Sequence, residues 1–164
     1  MLALAAFSGA NAQYLNDTEK VFTQNKVYFG AALTGLDLNY NEQNSFKLDV
    51  SLKAGYMLAD DWLLLAQGEF QGIKNAPNTL KVGAGMRYYV EQNGIFLGAS
   101  GKFIHAYGDY NDILPEVNVG YAFFLSRTVT IEPELYYQQS FKKHSDFSGL
   151  GFRVGFGIYL DDLM

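Results

Sequence analysis

The sequence predicts an all-β fold in which eight antiparallel strands run up and down around a barrel. Three observations support this fold: apolar and polar residues alternate over long runs, tight turns alternate with longer polar connections, and no stretch shows the 3.6-residue period of a helix. Residues 46–58, FKLDVSLKAGYML, show the alternation most clearly, because every second residue is apolar. The run exceeds the ~5–6 residues usual for a strand and meets the ~9–11 that a tilted strand needs to cross a bilayer.

The eight runs follow one another between residues 26 and 160, each with one apolar face. In the first run, over about 27–40, the apolar phase shifts near Gly35, which indicates a β-bulge. Gln92-Asn93-Gly94 is a strong hairpin signal, because Asn-Gly tolerates positive φ. The apolar faces begin, in chain order, at Val27, Phe46, Trp62, Leu80, Ile95, Ile113, Val129 and Leu150. The connections are turns at 59–61, 92–94 and 126–127, and loops at 41–45, 73–78, 108–112 and 141–146.

The volume of the barrel decides which face points outward. Eight strands enclose a bore only just wide enough for side chains to fill it, and the apolar faces carry too many large residues to pack there. The opposite faces mix long charged side chains with glycines, which suits a crowded lumen and would weaken a solvent-facing sheet. We therefore predict a transmembrane β-barrel whose apolar faces contact lipid. It must be closed, because an open sheet edge in hydrocarbon leaves backbone groups unpaired.

The inward charges form the main candidate site, and their signs nearly balance. The last hairpin should bring Glu134 opposite Arg153, and the fifth and sixth runs should bring Lys102 near Glu116. Because buried charges need partners, we interpret the set as a salt-bridged plug with a structural role; a gated ion path or a proton relay is the alternative. The set comprises Lys53, Glu69, Lys81, Arg87, Lys102, Glu116, Glu132, Glu134 and Arg153.

A second set consists of aromatic residues near the tight-turn ends of the strands. Outer-membrane barrels carry aromatic girdles at the two membrane interfaces, and an even number of strands puts both chain termini on one side, the periplasm for an exported barrel. We therefore predict an aromatic girdle on the periplasmic side and extracellular positions for the longer loops. The girdle residues are Tyr56, Trp62, Tyr88, Tyr121, Phe123 and Phe156.

The N-terminal residues indicate export. Residues 1–12, MLALAAFSGANA, form an apolar run that ends in the small-x-small pattern of a signal-peptide cleavage site, so we interpret them as a signal-peptide remnant. A buried N-terminal helix is the alternative. Residues 13–25 are polar without a clear period and are interpreted as a periplasmic lead-in. The barrel then covers 26–160, and 161–164 form a C-terminal tail.

Composition excludes several classes of function. The chain has no cysteine, so neither a disulfide nor a thiolate metal site is available. Its formal net charge of −5 argues against nucleic-acid binding, which needs a basic surface. Two isolated histidines do not make a metal site, and we assign no cofactor.

Strand number, alternation and turn asymmetry over residues 26–160 resemble the small eight-stranded outer-membrane barrels, such as the OmpA transmembrane domain and OmpX. The segment PEVNVGYAFFLSRTVTIEPELYY, residues 115–137, carries the resemblance best. The resemblance implies the outer membrane of a diderm bacterium, contact with outer-membrane lipid and lipopolysaccharide, insertion by the outer-membrane assembly machinery, and a monomer. The family typically ends on an aromatic residue read by that machinery, whereas this sequence continues past Tyr159 to Met164. Tyr159 is therefore the candidate signal, and altered recognition is the alternative.

An enzyme is a less favoured interpretation. Some small outer-membrane barrels modify lipid A, and His144-Ser145 lie in the last loop, but adjacent residues on an extended chain point in opposite directions, so His144 cannot easily activate Ser145. His105 lies at the end of the fifth run, and we assign no catalytic residue. The leading hypothesis is a structural or surface-interaction barrel, followed by a narrow ion or small-solute channel, a lipid-modifying enzyme and a soluble ligand-holding barrel.

Overall fold

The computed structural model describes residues 20–36, 48–72, 79–106, 110–142 and 148–161. These residues form eight antiparallel strands, and no helix is assigned among them. One of these strands is interrupted at Ala122. The strands are β1 (Lys26–Leu36), β2 (Leu48–Ala59), β3 (Trp62–Gly72), β4 (Thr79–Tyr89), β5 (Ile95–Ala106), β6 (Tyr110–Tyr121, continued by Phe123–Phe124), β7 (Val129–Gln138) and β8 (Gly149–Asp161).

Each strand pairs with its neighbours in the chain, and the first pairs with the last. The β1–β8 register puts Val27 opposite Leu160, while β6 and β7 pair through Val117 and Tyr137. The sheet is therefore closed, and the prediction of an eight-stranded antiparallel up-and-down barrel is confirmed. Closure supplies the inter-strand hydrogen bonds that an open sheet would leave unmade.

Two local irregularities follow from the sequence. The β1–β8 register shifts between Leu33 and Leu36, at the bulge predicted near Gly35. The interruption of β6 at Ala122 lies in the interval where Pro133 of β7 would pair, between Gly120↔Glu134 and Phe123↔Ile131. Proline has no backbone N–H to donate, so the ladder is broken there without a change of register.

The tight turns occur where they were predicted, with a difference in backbone detail. Asp61 has φ 65°, and in the second turn Glu91, Gln92 and Gly94 have φ values of 46°, 59° and 90°. Asn93, which we expected to adopt positive φ with Gly94, does not do so; its backbone N–H instead bonds to the Val90 carbonyl at 3.0 Å. The strained positions therefore fall on Glu91 and Gln92.

The loop predicted at 108–112 extends too far at its C-terminal end, because the next strand begins earlier. β6 begins at Tyr110, which pairs with Ala106, and Asn111 pairs with His105. The polar side chains of this stretch suggested a loop. The hydrogen bonds between strands use only the backbone, however, and a polar residue on a strand can face the lumen, as buried Asp112 does. The loops predicted at 41–45 and 73–78 lie outside the described residues, as do residues 143–146 of the last loop.

Burial alternates along the strands with the predicted sense. Leu52 exposes 64% of its surface on the outer wall, while the next residue, Lys53, exposes 7% inside. The same contrast holds between exposed Met86 and fully buried Arg87. The outer wall is thus apolar and the interior is charged, as in a transmembrane barrel. Among the described segments, no helix has the length and apolar character needed to cross a membrane.

Candidate functional site

The lumen is filled by charged side chains, including all nine that the sequence analysis assigned to it. Within the described residues the buried cations and buried acids are equal in number, because Asp112 adds a fifth acid to the predicted four. They are Lys53, Lys81, Arg87, Lys102 and Arg153 on one side, and Glu69, Asp112, Glu116, Glu132 and Glu134 on the other. Equal numbers of opposite charges allow every group to be compensated inside the barrel.

Strand register brings several of these charges into direct opposition. Glu69 of β3 pairs with Lys81 of β4, and Glu134 of β7 pairs with Arg153 of β8. Gly151 leaves room for the Tyr136 ring beside this second pair, since a Cβ atom there would come within 2.3 Å of that ring. The Tyr136 ring in turn lies 4.4 Å from the Arg153 guanidinium, as in a cation–π contact.

Arg153 and Lys102 form the centre of one cluster. Lys102 Nζ donates to both Glu69 and Glu116. Arg153 donates through Nε to Glu134 at 2.8 Å, and its other nitrogens reach Glu69 and Glu116. Lys81 Nζ lies 3.5 Å from Glu69. One guanidinium therefore links three carboxylates from three different strands, which is the forked geometry that arginine permits.

Arg87 joins this cluster to a second one on the tight-turn side. Its Nη1 donates to Glu132 at 2.8 Å, and its Nη2 lies 3.5 Å from Glu134. Glu134 also accepts from Lys53 at 3.1 Å and from Asn118 at 2.5 Å. The nine predicted charges thus form one continuous network along the lumen, and Asp112 accepts hydrogen bonds from Ser140 and from the Lys142 backbone N–H.

The carboxylate of Glu132 is held by hydroxyl groups as well as by Arg87. It accepts hydrogen bonds from Tyr28 at 2.9 Å, Thr130 at 2.9 Å and Tyr159 at 3.0 Å. An ionised carboxylate has about four acceptor sites, so with Arg87 its capacity is used. Tyr159 is further hydrogen-bonded to Tyr89 at 2.6 Å. The network therefore ends, towards the tight turns, in a group of phenols.

An aromatic layer closes the lumen beyond these phenols, and the sequence analysis did not anticipate it. Phe22, which is fully buried, stacks on Tyr89 with ring centroids 3.8 Å apart and meets Tyr159 edge-on at 5.6 Å. Phe22 lies in the stretch interpreted as a polar lead-in. The signal that could have revealed it is Val21-Phe22, two adjacent apolar residues within an otherwise polar segment.

The segment around Phe22 contacts the turn between β2 and β3. The Gln24 backbone N–H and the Lys20 ammonium both donate to the Asp60 carboxylate, and these hydrogen bonds lower the pKa of Asp60 below its ordinary value. The neighbouring Asp61 is partly buried, and loss of solvation raises its pKa. The pKa values of these two adjacent carboxyls are therefore shifted in opposite directions.

The six aromatic residues predicted for a girdle lie on the outer wall. Five are near the tight-turn end of the barrel, and one lies farther along the barrel axis. Trp62 and Tyr88 are in contact, as are Tyr121 and Phe123, and Tyr56 donates to Asn25 at 3.0 Å. These five lie near tight-turn ends. Phe156 lies farther along its strand, opposite Ala31 in the middle of β1.

Potential metal ligands and the predicted histidine positions are the other features of interest in the described residues. No group of three or more potential metal ligands occurs among them. His105 Nδ1 lies 2.9 Å from Asn111 Oδ1 at an exposed position, and no nucleophile is among its described contacts. His144 and Ser145 lie outside the described residues. What the site does offer is a compact, hydrogen-bonded network of fixed charges.

Comparison with solved structures finds small outer-membrane barrels. The N-terminal β-barrel domain of Pseudomonas aeruginosa OprF superposes with a TM-score of 0.60 at 13% identity, covering 84% of this chain and 98% of that one. Neisserial surface protein A gives a TM-score of 0.57 at 16% identity, covering 83% and 96%. A de novo designed transmembrane β-barrel gives 0.55 at 12% identity, covering 84% and 98%.

No family model and no curated protein sequence matches the chain. Because the identities to the solved structures are low, they bear on architecture alone. The chain has the fold of the small eight-stranded outer-membrane β-barrels.

Proposed function

We propose that the protein is a monomeric outer-membrane barrel with a structural or surface-interaction role and a plugged lumen that does not conduct. The observation that carries this proposal is the charge-balanced interior. Arg87, Lys102 and Arg153 are almost completely buried, and each is hydrogen-bonded to at least two partners. A conducting pore needs hydrated, accessible charges, whereas these are desolvated and engaged with one another.

The outer wall supports a membrane location. Large apolar side chains such as Phe29, Leu52 and Phe103 are exposed around the barrel, where water would disfavour them and lipid would not. Together with the signal-peptide pattern of residues 1–12, this favours the outer membrane of a diderm bacterium. The tight turns and both termini would then face the periplasm, and the longer loops the cell exterior.

The proposed partners follow from this location. Lipid acyl chains would cover the apolar wall, lipopolysaccharide would surround the outer half, and the outer-membrane assembly machinery would insert the barrel. No residue among those described points to a substrate, so we propose no catalytic activity. A lipid-modifying activity would appear as altered lipid A in cells that carry the protein, and we expect lipid A to be identical with and without it.

Conductance in planar bilayers tests the proposal against a narrow channel. Barrel folding is first checked by heat-modifiable migration on a gel. We then expect no steady conductance from the wild type, from Glu134→Gln or from Arg153→Ala. Steady wild-type conductance that changes in Glu134→Gln would contradict the proposal and favour an ion path through the lumen.

A further inference from the structure

We propose that residues 20–25 form a detachable plug, in which Phe22 seals the tight-turn end of the lumen and Gln92 latches the segment in place. This inference goes beyond the proposed function, because it assigns a closing device to a segment that precedes the barrel. It rests on the contacts of Phe22, on the way its backbone is held, and on the backbone conformation of the residues that hold it.

The Phe22 ring occupies a site built from aromatic residues of several strands. It stacks on Tyr89 of β4, meets Tyr159 of β8 edge-on and contacts Phe124 of β6 at 5.6 Å. Apolar Met57 and Leu63 belong to the same buried cluster. Since Tyr89 and Tyr159 are the last hydrogen-bonded members of the charged network, the ring lies between that network and the tight-turn end.

Gln92 binds the backbone of Phe22 as a neighbouring strand would. Its side-chain Oε1 accepts from the Phe22 N–H at 2.8 Å, and its Nε2 donates to the Phe22 carbonyl at 3.0 Å. The same carbonyl accepts from the Asp61 backbone N–H at 2.9 Å. One amide side chain thus bonds both backbone groups of the plug residue, and the Phe22 C=O has a second donor in the Asp61 N–H.

Gln92 and Asp61, the two residues that bond to the Phe22 backbone, share an uncommon backbone conformation. Gln92 and Asp61 have φ values of 59° and 65°, in the left-handed region that residues other than glycine seldom adopt. Gln92 Nε2 also donates to Asp61 Oδ1 at 2.5 Å, which ties the two turns together beneath the segment. Strained backbone at the contact points of a docked segment is typical of sites whose geometry serves a function.

The segment is held by individual hydrogen bonds and by the packing of Val21 and Phe22, not by a strand ladder, and for this reason we call it detachable. Val21 and Phe22 are buried, but Lys20, Gln24 and Asn25 are exposed and polar. The segment is not part of the barrel sheet, which begins at Lys26. Its release would leave all eight strands paired, so it can open locally without unfolding the barrel.

Thiol accessibility in the full chain tests the plug, because the protein has no cysteine of its own. Leu63→Cys introduces one thiol into the buried cluster behind Phe22. Its labelling by a charged methanethiosulfonate is measured in detergent, alone and combined with Phe22→Ala, Gln92→Ala or Phe22→Tyr. Phe29→Ala, which truncates an aromatic residue on the outer wall, is the matched control.

We expect Phe22→Ala to accelerate labelling about tenfold or more, since it removes the apolar surface that holds the segment. Gln92→Ala should accelerate labelling less, while Phe22→Tyr and Phe29→Ala should leave the rate near that of Leu63→Cys alone. Met57→Cys provides a second reporter if Leu63→Cys fails to fold. Rapid labelling with Phe22 intact, or equal rates in Phe22→Ala and Phe29→Ala, would overturn the inference. Because no membrane current is measured, the result is separate from the conductance test.

Discussion

Replacing Arg153 by methionine should reveal how strongly the lumen depends on charge balance. The substitution keeps much of the side-chain length but removes the cation that donates to Glu69, Glu116 and Glu134. Five buried acids then face four buried cations. Removing one member of a buried, hydrogen-bonded ion pair typically costs about 3–5 kcal/mol, because the partner charge stays desolvated. We expect the free energy of unfolding to fall by that amount.

The double variant Arg153→Met with Glu134→Gln restores equal numbers of charges, and it separates charge balance from packing. We expect it to be more stable than Arg153→Met alone, although a second polar contact has been removed. Lys26→Met is the surface control, since its partner Asp161 is largely exposed, and it should change stability by no more than about 1 kcal/mol.

Equilibrium unfolding in lipid vesicles measures these three variants and Glu134→Gln alone. The chain contains a single tryptophan, Trp62, which is exposed on the outer wall, so its fluorescence reports loss of the lipid environment on unfolding. The reasoning would be refuted if Arg153→Met cost no more than Lys26→Met. It would also be refuted if the double variant were less stable than Arg153→Met by the full cost of Glu134→Gln alone.

Further substitutions probe the wall, the lumen and the plug. Leu52→Arg, in the middle of the outer wall, should cost about 2–4 kcal/mol in vesicles, whereas Leu58→Arg near the turn end should cost about 0–1; equal costs would contradict a lipid-facing wall. Gly151→Val should destabilise the barrel by about 1–3 kcal/mol or more by forcing Tyr136 aside, while Gly68→Ala, which meets no atom within 4 Å, should change stability little; a neutral Gly151→Val would contradict the packing. The pKa of Asp60 is lowered by its hydrogen bonds to the segment, so its contribution to docking is present at neutral pH and is lost as pH falls through that pKa. Asp60→Asn should therefore speed labelling of Leu63→Cys at neutral pH, and an unchanged labelling rate would contradict this assignment.

Periodicity was sufficient to predict which side chains face the lumen, because a strand alternates its side chains between two faces whatever its neighbours are. Arg87 and Lys102 could be assigned to the interior from their own strands alone. The register of the hairpins then predicted the opposition of Glu134 and Arg153, which the structure confirms. Local sequence carries this information, since a shift of one residue would turn the whole apolar face inward.

Periodicity does not predict the height of a residue along the barrel axis relative to residues on distant strands. Tyr89, Phe96 and Tyr159 each lie on the inward phase of their own strand, yet their gathering into one layer depends on the combined register of β4, β5 and β8. Phe22 was missed for a different reason, because it precedes the first strand and has no alternating pattern to mark it. In the same way, polar composition at 110–112 indicated a loop where backbone pairing with β5 continues the strand.

The two closures of the lumen differ in physical character, and this difference has a consequence for any test of conduction. The charged network resists opening because separating its members leaves desolvated charges, a cost that falls when a neighbouring charge is neutralised. The aromatic layer resists opening because Phe22 would leave an apolar site, a cost separate from that of breaking the Asp60 contacts. Barriers in series act independently, so removing Phe22 alone leaves Arg87 hydrogen-bonded to Glu132 behind it. A lumen that stays closed in Phe22→Ala would thus be consistent with a detachable plug, provided that the thiol behind the ring has become accessible.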